Sequence, residues 1–105
     1  MAHIKPPLRG DIESIEAQEH YIRIQTNSGS GMVLYRFRDA LRELRKYDGL
    51  QVHRSYWVAD AAVNSIEKAN RSTRLILKNG SIIPVSRRFE IAALERFSSV
   101  QLEKH

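Results

Sequence analysis

Apolar and polar residues alternate along much of the first third of the chain. In "HYIRIQT" (residues 20–26) the isoleucines alternate with polar side chains. Because successive residues of a strand face opposite sides, this pattern predicts a half-buried strand. The preceding "DIESIEA" is also typical of a strand. The segment "NSGSG" (residues 27–31) predicts a turn, and "MVLYRF" (residues 32–37) predicts a third strand that completes a meander.

The period becomes helical in "RDALRELRKYDG" (residues 38–49). Ala40, Leu41 and Leu44 fall on one helical face, Asp39 is a candidate N-cap, and Gly49 lies just past the expected end. We predict a short helix of about three turns. Its arginine and lysine side chains are most simply a solvated face, and a phosphate-facing role is the alternative.

The segment "VHRSYWV" (residues 52–58) has apolar ends and a polar middle. On a single strand neither face would be purely apolar: one would carry Val52, Arg54, Tyr56 and Val58, and the other His53, Ser55 and Trp57. A segment of this kind usually leaves the sheet at one end. We therefore expect its polar part in a loop or at the rim of a sheet, and "YWV" in a strand.

A hairpin is the clearest prediction in the second half of the chain. Val63 and Ile66 are compatible with a bend followed by a strand. Asn79-Gly80 then separates two apolar runs, which predicts a hairpin with a type I′ turn, where both central residues have positive φ. Pro84 cannot donate a ladder hydrogen bond, so the second strand of the hairpin is expected at an edge or kinked.

The C-terminal part returns to helical spacing. Phe89, Ala93 and Phe97 recur at helical intervals behind Ser86, a candidate cap. We predict one or two helical turns there. The chain as a whole is predicted to be mostly β, with one short middle helix and a short C-terminal helical segment.

Charge is the strongest compositional signal. The chain of 105 residues carries 17 Lys and Arg against 12 Asp and Glu, a net charge of +5, and its pI is about 9.9. Thirteen of the seventeen basic residues lie between Arg36 and Arg96. A basic domain attracts polyanions, of which nucleic acid is the commonest inside cells. Solubility alone is the plainer explanation, and charge does not separate the two.

Length and composition fit one soluble globular domain, since 42% of the residues are hydrophobic. The absence of cysteine excludes a disulfide, a thiolate zinc site and a thiol nucleophile, and fits a reducing cytosol. There is no run of about eighteen apolar residues and no signal-peptide pattern, so we expect no membrane span and a cytoplasmic location.

Catalytic and metal-binding patterns are missing from the sequence. The histidines, His3, His20, His53 and His105, have no metal-ligand spacing. Neither Ser55 nor Ser86 lies in a nucleophile elbow, and the carboxylates of Glu13, Glu16 and Glu67 are expected on basic surfaces, not in an apolar pocket. We expect no enzyme, no cofactor and no metal.

Polar residues cluster where strands are predicted to end. The three clusters are His20-Tyr21, His53-Arg54-Ser55 and Ser86-Arg87-Arg88. His20 and His53 alone could be ordinary surface histidines or hydrogen-bonded core histidines. Tyr56 and Trp57, which follow the second cluster, are expected in the core. Two arginines at a helix start oppose the helix dipole, so helix stability explains them poorly. If the three rims lie along one edge, they present groups suited to bases and phosphates.

Five segments together resemble the LytTR DNA-binding domain of bacterial transcription regulators. These are "DIESIEAQEHYIRIQTNSG", "RFRDALREL", "GLQVHRSYWVA", "VNSIEKAN" and "LILKNGSIIPVSRRF". Each motif is weak alone, and their order around a short helix and an Asn-Gly hairpin is specific. The resemblance covers about residues 10–97. It implies an all-β fold, an elongated sandwich of three small antiparallel sheets with a short helix, which binds DNA through loops.

The resemblance also implies roles for individual residues. Base contacts fall on Arg54 in "HRS", on Arg87 in "VSR", and on His20 or Tyr21 before "YIRI". Phosphate contact or loop support falls on the residues beside them: His53, Ser55, Ser86 and Arg88. Independently of the resemblance, the excess of basic residues makes Lys68 and Lys78 candidates for phosphate contacts.

Domain boundaries and partners follow from the same resemblance. We expect an N-terminal arm over residues 1–9, the DNA-binding domain over residues 10–98 and a tail over residues 99–105. The partner is double-stranded DNA with imperfect direct repeats, bound by pairs of domains. Such domains commonly follow a receiver, and no phosphoacceptor pattern is present here. The "PPLRG" start is similar to the joint in versions attached to membrane segments, so an upstream receiver, sensor or membrane segment stays open.

Two further function classes remain open. A small β module could bind single-stranded nucleic acid by stacking bases on exposed aromatic rings, for which the candidates are Tyr21, Tyr35, Tyr56 and Trp57. Alternatively, the domain binds another protein and its charge serves only solvation. Partner binding would then be insensitive to salt.

Overall fold

The computed structural model describes residues 11–102, with side chains described for residues 11–97. The predicted arm over residues 1–9, and His3 and His105, lie outside this range. Within it the chain forms eight strands: β1 (Ile12–Gln18), β2 (Tyr21–Thr26), β3 (Gly29–Leu34), β4 (Gly49–His53), β5 (Tyr56–Ala59), β6 (Val63–Ala69), β7 (Ser72–Leu77) and β8 (Ile82–Val85). The helices are α1 (Phe37–Glu43), α2 (Arg87–Leu102) and the 3₁₀ turns Leu44–Lys46 and Asp60–Ala62.

The described strands form two antiparallel sheets. The larger has the order β3-β2-β1-β5-β4, and the smaller has the order β6-β7-β8. The expected meander is present, and the elongated, mostly β architecture is confirmed, with extents of 43 × 26 × 21 Å. The expected third sheet is not: β5 pairs with β1, with Ile15 opposite Trp57, and this joins the β4–β5 hairpin to the meander.

The larger sheet buries apolar side chains on both faces. One face packs against α1 and the 3₁₀ turn after it, through Ile15, Ile22, Ile24, Ala40, Leu44 and Trp57. The opposite face packs against the smaller sheet and α2, through Val52, Val58, Val63, Ile66, Leu75, Leu77, Ile83, Val85, Ala93 and Phe97. Trp57 and Val58 are neighbours in sequence and belong to different cores, as a period of two requires. Each fully buried Val, Leu, Ile or Phe side chain contributes roughly 1.5–3 kcal/mol.

Two boundaries in the first half differ from the prediction. The strand predicted from Met32 begins at Gly29, because residues 29–34 pair with β2 along its whole length and only Asn27 and Ser28 form the turn. Phe37 opens α1 instead of ending this strand, with Arg36 as the N-cap residue. Asp39 is therefore not the cap. It lies in the first turn, where a carboxylate is favourable to the helix dipole.

The Asn79-Gly80 hairpin forms, although its turn is not of type I′. Positive φ occurs at Gly80 (92°) and not at Asn79. The Gly80 N–H donates to the Leu77 carbonyl at 2.9 Å, which fits a type I turn followed by a glycine bulge. Asn79 accepts a hydrogen bond from the Ser81 N–H at 2.8 Å. Pro84 lies on the edge strand β8, as predicted.

Helix α2 is longer than the one or two turns expected. It has 16 residues, and Ala93 and Phe97 bury its inner face against the smaller sheet and β4. Arg96 further joins it to Asp60, with Nε and Nη2 at 2.7 and 2.8 Å from the two carboxylate oxygens. The apolar stripe used for the prediction ends at Phe97, whereas the helix continues to Leu102.

Candidate nucleic-acid interface

Two of the polar clusters lie side by side at one end of the larger sheet. The β1–β2 turn carries Glu19 and His20, and the β4–β5 turn carries Arg54 and Ser55. Strand β5 begins where β1 ends, because Glu16 pairs with Tyr56. The Ala17 N–H then donates to the Ser55 carbonyl at 2.8 Å. We call this end of the molecule the loop end.

A bulge in β4 brings the third cluster to the loop end. Gln51 pairs with Trp57 and His53 with Tyr56, so Val52 is an extra residue between two paired ones. The Val52 carbonyl accepts a hydrogen bond of 3.0 Å from the Ser86 N–H. Bulges redirect backbone groups in this way near the ends of strands. The junction between β8 and α2, with Arg87, is thereby fixed beside the turn that carries Arg54.

Hydrogen bonds hold the turn that carries Arg54. The Ser55 N–H donates to His53 Nδ1 at 3.1 Å, and the His53 ring meets the Tyr56 ring edge-on at 5.4 Å. The Tyr56 hydroxyl donates to the Glu16 carboxylate at 3.2 Å. Burial and the nearby Glu16 carboxylate raise the pKa of Tyr56, so its hydroxyl stays a donor. Arg54 itself is exposed.

The start of α2 is tied to the smaller sheet by Glu90. Its carboxylate accepts a hydrogen bond of 2.5 Å from Thr73 Oγ1 and lies 3.0 Å from Lys68 Nζ. These two contacts, first that with Thr73, lower the pKa of Glu90, and the charge of Arg87 adds to the effect. Arg87 and Arg88 are exposed, and the Arg88 guanidinium lies 5.5 Å from the centroid of the Phe89 ring, a cation–π geometry.

Lys78 is not brought to the loop end. It lies in the β7–β8 turn, whose Asn79 Nδ2 donates to Glu13 Oε1 at 3.2 Å. Glu13 is near the beginning of β1, whereas the loop end is near the end of that strand. The other predicted site residues do lie at the loop end, with Lys68 there but paired to Glu90.

Comparison with known proteins gives the geometry its context. The model of the LytTR family, described as the LytTr DNA-binding domain, matches residues 7–97. The chain belongs to the LytTR family. Its fold is also similar to a solved LytTr DNA-binding domain from Bacillus cereus, with a TM-score of 0.71, 20% sequence identity, and coverage of 81% of this chain and 79% of that one. The search of curated proteins yields no match.

The LytTR family consists of DNA-binding domains and not of enzymes, so DNA binding is the activity expected of this domain. Among the residues that the structure describes, no group of three His, Cys, Asp or Glu side chains could hold a metal ion. Within the same range, no helix combines the length and apolar character needed to cross a membrane.

Two guanidinium groups at the loop end of this LytTR domain, those of Arg54 and Arg87, have no ion-pair partner within residues 11–97. The ion pairs formed by Asp39, Asp60, Glu67 and Glu90 do not include either of them. Both guanidinium groups are exposed. Each therefore keeps its full set of donors for a ligand.

Three of the four candidate stacking rings offer little surface. Trp57 is 4% exposed and belongs to the core. The Tyr35 hydroxyl is hydrogen-bonded to Glu43, which together with burial raises the pKa of Tyr35 to about 12. Tyr56 is bound to Glu16 and packs on His53. Tyr21, at 45%, is the most exposed of these four.

Sequence reasoning missed two exposed arginines near the predicted site. Arg36 follows β3 and lines a cleft of about 510 Å³ together with Glu19 and His20. Arg71 lies in the β6–β7 turn. Neither belongs to a motif, and only the strand pairing shows which end of a sheet each one occupies. A correct hairpin register for β6–β7–β8 would have placed Arg71 near Arg87.

Proposed function

We propose that this domain binds double-stranded DNA sequence-specifically, with the loops of the loop end inserted in the major groove. The observation that carries the proposal is the joining of three loops, through the Ala17–Ser55 and Ser86–Val52 hydrogen bonds, around two exposed arginines without a carboxylate partner. An arginine fork matches the O6 and N7 atoms of guanine, and the major groove is the place where each base pair is distinguishable.

Individual roles follow from position. Arg54 and Arg87 contact bases, and His20 or Tyr21 contacts a third base. His53 supports the Arg54 turn through its bond to Ser55, and Ser55, Ser86 and Arg88 contact phosphates or order the loops. Lys78, at the opposite end, receives no DNA contact in this proposal.

We further propose that the domain is the output part of a bacterial transcription regulator. Pairs of domains would occupy imperfect direct repeats, as a dimer on DNA, with a receiver, sensor or membrane segment elsewhere in the protein. The similar solved domain is described as part of a methyl-accepting/DNA response regulator, which supports this context. The domain would then work in the bacterial cytoplasm, where the chromosome lies.

The test is a binding selection from a random duplex library, read by sequencing. Wild type should enrich a motif, and Arg54→Gln and Arg87→Gln should each relax the preference at a different base position, at a cost of roughly 1–3 kcal/mol. Arg45→Gln is the matched control, because it removes the same charge from an exposed position on the 3₁₀ turn before β4. Failure to enrich any motif, or an unchanged motif in Arg87→Gln, would refute the proposal.

Single-stranded nucleic acid remains the second candidate, carried by the exposure of Tyr21. A base stacked on Tyr21 should leave tryptophan fluorescence nearly unchanged, because Trp57 is buried. Strong quenching would require the nucleic acid to reach Trp57. Competition between the selected duplex and its separated strands decides between the two: we expect the duplex to win.

A further inference from the structure

The β6–β7 turn lies next to the β8–α2 junction. Thr73 pairs with Val85 across β7 and β8, and Ala69 pairs with Ser72 across the turn. Thr73–Val85 is the last pair of this ladder, so Arg71, two residues before Thr73, and Arg87, two residues after Val85, lie at the same end of the smaller sheet. Asn70 closes the turn with a left-handed φ of 56°, a conformation that asparagine tolerates well.

Nearby carboxylates are already occupied by other cations. Glu67 accepts both Nε and Nη2 of Arg74 at 3.1 Å. Glu90 accepts Lys68 at 3.0 Å. Arg71 is exposed and, over residues 11–97, pairs with no carboxylate. Lys68 is therefore engaged within the protein, whereas Arg71 is available.

We propose that Arg71 binds a DNA phosphate beside the base that Arg87 reads, and that Lys68 instead fixes the start of α2 to β6 through Glu90. This inference rests on the proposed function. Adjacent strands are about 4.8 Å apart, and the phosphates that wall a major groove about 12 Å wide lie about 6 Å from its centre. When Arg87 lies at the centre of the groove, a side chain one strand spacing away can therefore reach the phosphates at its edge.

The test measures the salt dependence of binding to the duplex that wild type selects. Affinity is followed by fluorescence anisotropy between about 50 and 200 mM salt, where each phosphate contact contributes about −0.9 to the slope of log K against log salt. Arg71→Gln should make the slope shallower by about that amount and leave the selected motif unchanged. Arg71→Lys should keep the slope, because the charge remains, and Arg45→Gln should match wild type.

Lys68→Gln separates the two assignments. It should lower the melting temperature by releasing Glu90, and its salt slope should equal that of wild type. The inference is overturned if Arg71→Gln keeps the wild-type slope, or if Lys68→Gln loses the increment instead. A wild type that selects no motif refutes the proposed function itself, which is a different result from a motif-selecting wild type whose slope ignores Arg71.

Discussion

Substitution of Gly49 by alanine tests how tightly β4 and β5 are packed. Gly49 is the first residue of β4 and pairs with Ala59. A Cβ at this position would lie 2.2 Å from Trp57 Cζ2 and 2.5 Å from the Val58 carbonyl oxygen. Neither neighbour can move away easily, because Trp57 is 4% exposed within a packed core and the second atom belongs to the backbone. The strand itself has to shift.

The expected loss of stability is large for one methyl group. Overpacking in a core typically costs about 1–3 kcal/mol, and the rigid neighbours place Gly49→Ala near the upper figure, about 3 kcal/mol. One kcal/mol corresponds to roughly 4–8 °C in a domain of this size class. The melting temperature should therefore fall by roughly 12–24 °C.

Thermal unfolding followed by circular dichroism measures this change. The double variant Gly49→Ala/Trp57→Phe is the informative companion, because phenylalanine lacks the ring atoms that the new Cβ meets first. It should lose less stability than the sum of the two single variants, a sign of direct coupling. A melting temperature for Gly49→Ala within about 2 °C of wild type, less than about 0.5 kcal/mol, would refute the packing argument.

The remaining predictions concern the two carboxylates that organise the loop end. Tyr56→Phe removes the hydroxyl bound to Glu16 and keeps the ring on His53; urea unfolding should show a loss of about 1 kcal/mol, and an unchanged midpoint would show that the bond is not formed in solution. The pKa of Glu90 is lowered in the folded state, so folding is favoured while this carboxyl is ionised. Its contribution to stability is fully present above the ordinary pKa of 4.5 and is lost as the pH falls through the lowered pKa. The stability difference between wild type and Glu90→Gln should therefore shrink with acid below that value, and a difference that grows there would contradict the assignment.

Elements with a clear side-chain pattern were predictable from the sequence. Ile22 and Ile24 alternate with polar residues, and both are fully buried in β2. The Asn-Gly pair marked its hairpin correctly, although the turn is of another type than predicted. In both cases the signal is local, so it survives without knowledge of the partner strand.

Features set by pairing between distant segments were not predictable. Gly29 and Gly31 have no side chains to alternate, so the first half of β3 is defined only by its pairing with β2. Apolar and polar residues are mixed on both faces of residues 52–58 because the larger sheet is buried on both sides and the chain turns at Arg54. For the site, polar residues could be grouped at strand ends from the sequence, but no motif marked Arg71, which lies at the opposite end of β7 from Lys78.

Amide chemical-shift mapping tests the central claim most directly. The isotope-labelled domain is titrated with the selected duplex, and each backbone amide reports whether DNA approaches it. The account predicts that the largest changes fall on the loop end, at His20, Arg54 and Arg87, with Arg71 beside them, while the amides of α1 and the 3₁₀ turn after it stay near their free positions. Changes concentrated on α1 and its arginines, with a silent loop end, would contradict the account.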